Sequence, residues 1–119
     1  ILYKIAKELG VSVININLTI SSKLLELTSK QRILRLPSML DGMCSSKKSP
    51  AILDNIEVLF DNTLMQDPLR LLQSISRNRI VLSSWNGTFL KNKLLYAESW
   101  HHEFKLYENV DALIIDINR

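Results

Sequence analysis

The sequence predicts an α/β protein, a mostly parallel sheet with helices on both faces. Two observations support this fold class. Short apolar runs typical of strands recur at positions 11–18, 51–53, 80–82 and 112–117, and stretches with apolar residues at helical spacing separate the first three. Strands that alternate with helices pair in parallel, because each helix carries the chain back along the sheet before the next strand begins.

The first 18 residues are predicted to form a helix and then a strand. Apolar residues recur at helical spacing over positions 1–9, and Gly10 follows where a C-terminal cap belongs. No capping residue precedes Ile1, so we expect this helix to begin upstream of it. Apolar and polar residues alternate over positions 11–18, which predicts a short strand.

A long helix is predicted to follow from about Ser22, capped by one of the hydroxyl side chains at positions 19–22. Pro37 is expected to kink or restart this helix, because proline lacks the N–H that an interior helical position donates. A polar loop is predicted over positions 44–49. The next apolar run, positions 51–53, forms a strand that ends on Asp54.

The remaining elements are a helix, a strand, an excursion and a final strand. Asp67 and Pro68 have the residue types of an N-cap and a first helical position. Strands are predicted at 80–82 and 112–117, and a hairpin or irregular excursion lies between them at 88–108. We expect residues 1–119 to form one domain whose N-terminal part is incomplete.

Composition excludes several classes of site. The 119 residues contain three widely spaced glycines, so none of them belongs to a glycine-rich phosphate loop. One cysteine, Cys44, excludes an internal disulfide and a multi-cysteine zinc site. The net charge of +3 is an ordinary surface balance. With no apolar run of about 20 residues and no visible signal peptide, we expect a cytoplasmic protein without a membrane partner.

Polar residues follow the predicted strands at the edge where parallel α/β sheets bind ligands. Asn15 and Asn17 end the first strand, Asp54 with Glu57 follows the second, and Ser84 with Asn86 follows the third. A buried strand that ends in a carboxylate is the arrangement that holds magnesium in nucleotide hydrolases with a phosphate loop. Asp54 is therefore the candidate metal ligand and nucleotide contact.

Asn86 has two interpretations. As a polar amide at the end of a strand next to that of Asp54, it resembles the residue that contacts the attacking water or the terminal phosphate in AAA+ ATPases, and an amide can both donate and accept hydrogen bonds there. Asn86 followed by Gly87 is also a strong turn signal. Arg77 and Arg79, after the preceding helix, are candidates for stabilising phosphoryl charge, or alternatively for complementing the helix dipole.

Several segments together resemble one protein family. They are LDNIEVLF at 53–60, QDPLRLLQ at 66–73, SRNR at 76–79, SWNG at 84–87, LLELT at 24–28 with QR at 31–32, RLP at 35–37 and YAE at 96–98. Taken in their order along the chain, they resemble BrxF, the family of small P-loop proteins of bacteriophage-exclusion (BREX) defence systems, over most of the chain. The resemblance implies an AAA+-like P-loop NTPase core without a lid domain, ATP and Mg²⁺ as ligands, and a place in a phage-defence complex.

The chain departs from that family at two points. The family's phosphate loop lies just before its first helix, and positions 1–9 look like the body of that helix, so we expect the loop to be missing and ATP binding by this chain to be weak. AAA+ proteins often have a catalytic Glu directly after the magnesium-binding Asp, where this chain has Asn55. Glu57 is the nearest acid and the candidate for activating water.

Two further hypotheses stay open. The chain can instead be a catalytically inert AAA+-like module that assembles with defence-system partners, which Asn55 favours. Its mild positive charge is compatible with DNA contact, direct or through those partners. We also expect a homo-oligomer.

Overall fold

A computed structural model of the protein describes residues 1–45, 49–97, 103–108 and 110–115. The chain divides into two compact units, residues 1–84 and residues 85–119. The first unit contains a three-stranded parallel sheet and the second a three-stranded antiparallel sheet. The predicted α/β class and parallel pairing are confirmed for the first unit, whereas the second sheet makes the fold less parallel than the sequence predicts.

Helix α1 spans Leu2–Leu9 and ends as predicted at Gly10. Gly10 has φ of 70°, and its N–H donates to the carbonyl groups of Ala6 and Lys7. Glycine suits this position because it adopts positive φ without the steric cost that a Cβ atom imposes. The cap ends the helix and directs the chain into the first strand.

Strand β1 covers only Val13–Asn15, because helix α2 begins at Ile16 and runs to Leu24. The prediction of a strand to residue 18 and of a helix from about Ser22 is therefore wrong. The reason is Asn15, whose side chain accepts a hydrogen bond from the Leu18 N–H and so caps the helix. Capping here turns the second half of the expected strand into the first turn of α2.

Helix α3, Ser29–Ser45, is a separate helix with its own N-terminal capping box. The Thr28 hydroxyl accepts from the Gln31 N–H at 3.2 Å, and the Gln31 side chain accepts from the Thr28 N–H at 3.0 Å. The predicted polar loop over 44–49 begins later than expected, since the helix includes Cys44 and Ser45. Residues 46–48 lie outside the described residues.

Pro37 lies inside α3, and the helix continues through it. Proline has no N–H to donate to the carbonyl four residues earlier, which is that of Ile33. The Gln66 side-chain amide fills this gap, donating from Nε2 to the Ile33 carbonyl at 3.0 Å and to the Leu64 carbonyl at 2.9 Å. A contact from a distant part of the chain thus satisfies the backbone group that Pro37 leaves open.

The rest of the first unit follows the predicted order. Strand β2 is Ala51–Asp54, two 3₁₀ helices cover Ile56–Phe60 and Asn62–Leu64, helix α4 is Pro68–Ile75, and strand β3 is Val81–Ser83. Asp67 caps α4 as predicted, accepting from the Arg70 N–H at 3.2 Å, with Pro68 in the first turn.

The parallel sheet has the order β1-β2-β3, so β2 is its central strand. Ala51, Ile52 and Leu53 are all buried. Because successive strand residues point to opposite faces, both faces of β2 are covered. The largest fully buried side chains of this unit are Phe60, Ile16, Ile20, Leu36, Leu40, Ile52, Leu53, Ile56 and Leu59.

The second unit is an antiparallel meander in the order β4-β5-β6, with strands Gly87–Leu90, Lys93–Tyr96 and Lys105–Glu108. It confirms the predicted hairpin-like excursion. Trp85 packs edge-on against Tyr96 and Tyr107, with ring centroids 6.4 and 5.8 Å apart, and its indole N–H donates to the Leu95 carbonyl at 2.9 Å.

The predicted final strand is wrong for its described part. Residues 112–115 have no strand partner in the part of the chain that the structure describes, and Leu113 and Ile115 are largely exposed. The remainder of that prediction, positions 116 and 117, lies outside the described residues. An apolar β-branched run favours a strand only where a neighbouring edge pairs with it.

Candidate functional site at the strand ends

Three polar residues form a row across the carboxyl end of the parallel sheet. Asn15 pairs in register with Asp54, and the pair Leu53–Ser83 brings the next residue, Ser84, opposite Asp54. The Ser84 N–H donates to the Leu53 carbonyl at 3.0 Å, which extends the β2–β3 pairing to Ser84. We call Asn15, Asp54 and Ser84 the strand-end row.

Asp54 is the central member of this row. Its carboxylate is half-buried, and Oδ1 accepts a hydrogen bond from the Asn55 N–H at 2.9 Å. Among the described residues nothing bonds to Oδ2. A short carboxylate held at one oxygen and open at the other can bind a hard cation, so the structure leaves the predicted metal ligand available.

Asn55 turns the chain away from the sheet. It has φ of 55°, in the left-handed region that asparagine tolerates better than most residues. Its carbonyl accepts from the Asn17 N–H at 2.9 Å, which ties the first turn of α2 to the segment after β2. This backbone conformation explains why an Asn, rather than a Glu, suits the position directly after Asp54.

Asn15 serves mainly as a helix cap. Its Oδ1 accepts from the Leu18 N–H at 3.0 Å and its carbonyl accepts from the Thr19 hydroxyl at 2.9 Å. The side-chain oxygen is therefore committed to α2.

Glu57 lies in the first turn of the 3₁₀ helix Ile56–Phe60, half-buried. This helix packs against α2 and begins immediately after Asn55. The predicted role of Glu57 in activating water stays a prediction.

Asn86 is exposed and belongs to the second unit, directly before β4. The pairing of β3 ends at Ser84, so the place opposite Asp54 belongs to that serine and not to Asn86. The expectation that Asn86 ends the neighbouring strand is therefore wrong. A contact from Asn86 to a nucleotide phosphate stays a prediction.

The two candidate arginines have different surroundings. Arg77 is exposed in the turn after α4. Arg79 is 12% exposed at its side chain, and its guanidinium donates to Asp41 Oδ1 at 2.9 Å and to the Ile75 carbonyl at 3.1 Å. Arg79 therefore links α4 to α3, whereas the guanidinium of Arg77 is more accessible to a phosphoryl group.

Cys44 is buried in α3. Burial raises the pKa of its thiol above the ordinary value of 9.0, the Arg79 guanidinium opposes that shift, and Asp41 adds to it. The thiol therefore stays protonated at neutral pH, which does not suit a nucleophile.

A cavity of about 490 Å³ is lined in part by residues of β1. This strand forms the edge of the sheet away from β3. Asn15, Thr19 and Lys23 line one part of it, and Met39, Gly42 and Met43 line another. Lys23 gives this cavity a positive charge that the sequence analysis did not single out. Thr19 and Lys23 are four residues apart, so they lie on one face of α2. That spacing is the sequence signal that could have predicted their shared position.

Among the residues that the structure describes, no three His, Cys, Asp or Glu side chains cluster as metal ligands, and no helix is long and apolar enough to cross a membrane. A magnesium ion needs only one or two protein carboxylates where phosphates supply further ligands, so Asp54 fits such an ion.

Comparisons with protein-family models, with curated proteins and with solved structures gave no match.

Proposed function

We propose that the first unit is the carboxylate-bearing part of an AAA+-like P-loop domain that binds ATP with Mg²⁺ in a prokaryotic phage-defence complex. The observation that carries the proposal is Asp54, which stands at the carboxyl end of the central parallel strand with Oδ1 held and Oδ2 open among the described residues. Ligands of parallel α/β sheets bind at this edge. The sequence resemblance to the BrxF family supports the same assignment.

In this proposal each residue has a distinct task. Asp54 holds the magnesium ion, which would neutralise phosphate charge when bound. Glu57 accepts a proton from the attacking water. Arg77 stabilises phosphoryl charge from a neighbouring copy in a homo-oligomer, because its exposed guanidinium can reach outward.

The test measures binding of a fluorescent ATP analogue in the presence of magnesium, together with ATP turnover, by the complete gene product. We expect Asp54→Ala to weaken magnesium-dependent nucleotide binding by about tenfold or more, since a charged ligand to the metal is lost. Glu57→Gln should leave binding intact and slow turnover by about 100-fold, the low end for a general base. Glu26→Gln, an exposed carboxylate between α2 and α3, is the matched control.

Unchanged binding and turnover in both Asp54→Ala and Glu57→Gln would reject the assignment. A loss of equal size in Glu26→Gln would show that binding and turnover fall whenever a negative charge is removed, whatever its position in the chain.

Asn55 favours a second candidate function, a catalytically inert module that keeps this fold for assembly. The left-handed backbone at Asn55 disfavours the Glu that AAA+ enzymes often carry directly after the magnesium-binding Asp. Nucleotide binding with no turnover in the wild-type protein would support this function. Turnover that Glu57→Gln abolishes would reject it.

A further inference from the structure

The cavity lined by β1, α2 and α3 has the size of a small-molecule site. Its volume of about 490 Å³ lies within the range of roughly 300–1,000 Å³ that is typical of ligand pockets. All of its described lining residues belong to the first unit. They are residues 12–15 at β1, Thr19 and Lys23 on α2, and Ser38, Met39, Gly42 and Met43 on α3.

Gly42 keeps the α3 side of this cavity open. A Cβ atom at this glycine would meet no other atom within 4 Å, although Gly42 lies inside α3 and lines the cavity. Glycine inside a helix is less stable than alanine, so packing alone does not account for the residue. A larger side chain at position 42 would occupy space that the cavity now offers to a ligand.

Lys23 determines the charge of that ligand. Of the described residues that line the cavity, it is the only one with a charged side chain. No carboxylate in the described part of the chain forms an ion pair with its ammonium group. An ammonium group donates hydrogen bonds and accepts none. A ligand that complements this cavity therefore carries an anionic group.

The rest of the lining favours an elongated apolar body. The hydroxyl groups of Thr19 and Ser38 already donate to backbone carbonyl groups earlier in the chain. At 1.5 Å per residue, the α2 side extends about 12 Å from Asn15 to Lys23. The apolar walls are buried or half-buried side chains, namely Val13, Ile14, Met39 and Met43. Methionine side chains adapt their shape to an apolar ligand.

The length of β1 argues against a partner strand as the occupant. Among the described residues β1 is the outer strand of its sheet, and an outer strand can in general pair with an added strand. This one has only three residues, and very short edge strands are one way in which proteins prevent such pairing. A small molecule between the two helices and the sheet edge fits the cavity better.

We propose that this cavity binds a small carboxylate with an apolar chain. The carboxylate accepts a hydrogen bond from the Lys23 ammonium group, and the chain lies against the methionines of α3. The inference does not rest on the proposed nucleotide site, because Asp54, Glu57 and Arg77 are not among the residues that line the cavity.

The test is calorimetric titration of the complete gene product with octanoate and with octanol, its neutral counterpart, in the absence of nucleotide. Lys23→Gln should weaken octanoate binding by about tenfold or more, because a hydrogen bond between charged groups is lost, and should leave octanol binding unchanged. Lys30→Gln removes an exposed lysine of α3 outside the lining, and this matched control should bind octanoate as the wild type does. Gly42→Leu should weaken the binding of both compounds by about tenfold or more, because its side chain fills the cavity.

Several results would overturn the proposal. They are the absence of saturable octanoate binding by the wild type, equal losses in Lys23→Gln and Lys30→Gln, and octanoate binding that Gly42→Leu leaves unchanged. A capped acidic tripeptide serves as the competing probe, and binding of this peptide without binding of octanoate would assign the β1 edge to a partner strand. Thermal unfolding without ligand checks that each variant is folded, and the Lys23→Gln comparison decides the proposal even if Gly42→Leu is unstable.

Discussion

The Gln66 side chain replaces the hydrogen bond that Pro37 removes from α3, and this substitution can be measured. Gln66→Ala deletes both donated bonds, to the carbonyl groups of Ile33 and Leu64, from a partly buried site. With about 1 kcal/mol net for each bond, we expect a loss of about 2 kcal/mol in the free energy of unfolding.

A double-mutant cycle isolates the contact with the helix. Pro37→Ala restores an N–H that can donate to the Ile33 carbonyl, so in that background Gln66→Ala should cost only the bond to Leu64, about 1 kcal/mol. The expected coupling between positions 37 and 66 is therefore about 1 kcal/mol.

The assay is urea unfolding followed by far-ultraviolet circular dichroism, which reports on the helices of the first unit. Gln66→Glu is a second probe, because it places a carboxylate acceptor against two carbonyl acceptors and should be less stable than Gln66→Ala at neutral pH. Equal costs of Gln66→Ala with and without Pro37 would refute the compensation. So would a Gln66→Glu variant as stable as the wild type.

Three further predictions concern Gly87, Gly42 and Cys44. Gly87→Ala should cost about 2–3 kcal/mol and reduce the near-ultraviolet dichroism of Trp85, because the added methyl overlaps the Leu95 carbonyl and lies 2.7 Å from the indole nitrogen. Gly42→Ala should stabilise α3 by about 0.5–1 kcal/mol in urea unfolding, since the helix tolerates the methyl, which meets no atom within 4 Å. Between pH 8 and 10.5 the wild type should lose stability relative to Cys44→Ala, because above pH 9.0 the thiol ionises in the unfolded chain while burial keeps it protonated in the folded one.

Each of these predictions has a result that contradicts it. Unchanged dichroism in Gly87→Ala would mean that the sheet does not need the close approach at this glycine. Lower stability in Gly42→Ala would mean that the position resists a side chain. Parallel pH profiles for the wild type and Cys44→Ala would show that the thiol ionises equally in the folded and unfolded protein.

Elements with strong local signals could be predicted from the sequence. Asp67 followed by Pro68 set the start of α4, and Gly10 set the end of α1. Both signals act within one helical turn and require no partner elsewhere in the chain. The central strand β2 was also predictable, since a short apolar run between Pro50 and Asp54 suits a strand covered on both faces.

The start of α2 was not predictable from apolar spacing, because the same residues fit both a strand and a helix. Ile14 and Ile16 fit the alternation of a strand, but Ile16, Ile20 and Leu24 also recur every four residues and are all buried. The Asn15 cap favours the helix over the strand, because its side chain accepts a hydrogen bond from the Leu18 N–H. At the other end of the chain, no helical pattern competes with the apolar run from Leu113. A strand there would still need the edge of another strand to pair with, and the sequence alone does not specify that edge.

The strand-end row shows why the site was only partly predictable. Asp54 ends an apolar run, so its position follows from local sequence, whereas the residue beside it depends on the register between β2 and β3. That register selects Ser84 over Asn86, and the two differ chemically: a hydroxyl donates one hydrogen bond and an amide donates two, although both also accept. In the proposed nucleotide site, the Ser84 hydroxyl would make at most one bond to an anionic oxygen, whereas Asp54 would hold the cation. On that proposal we expect Asp54→Ala to weaken binding more than Ser84→Ala.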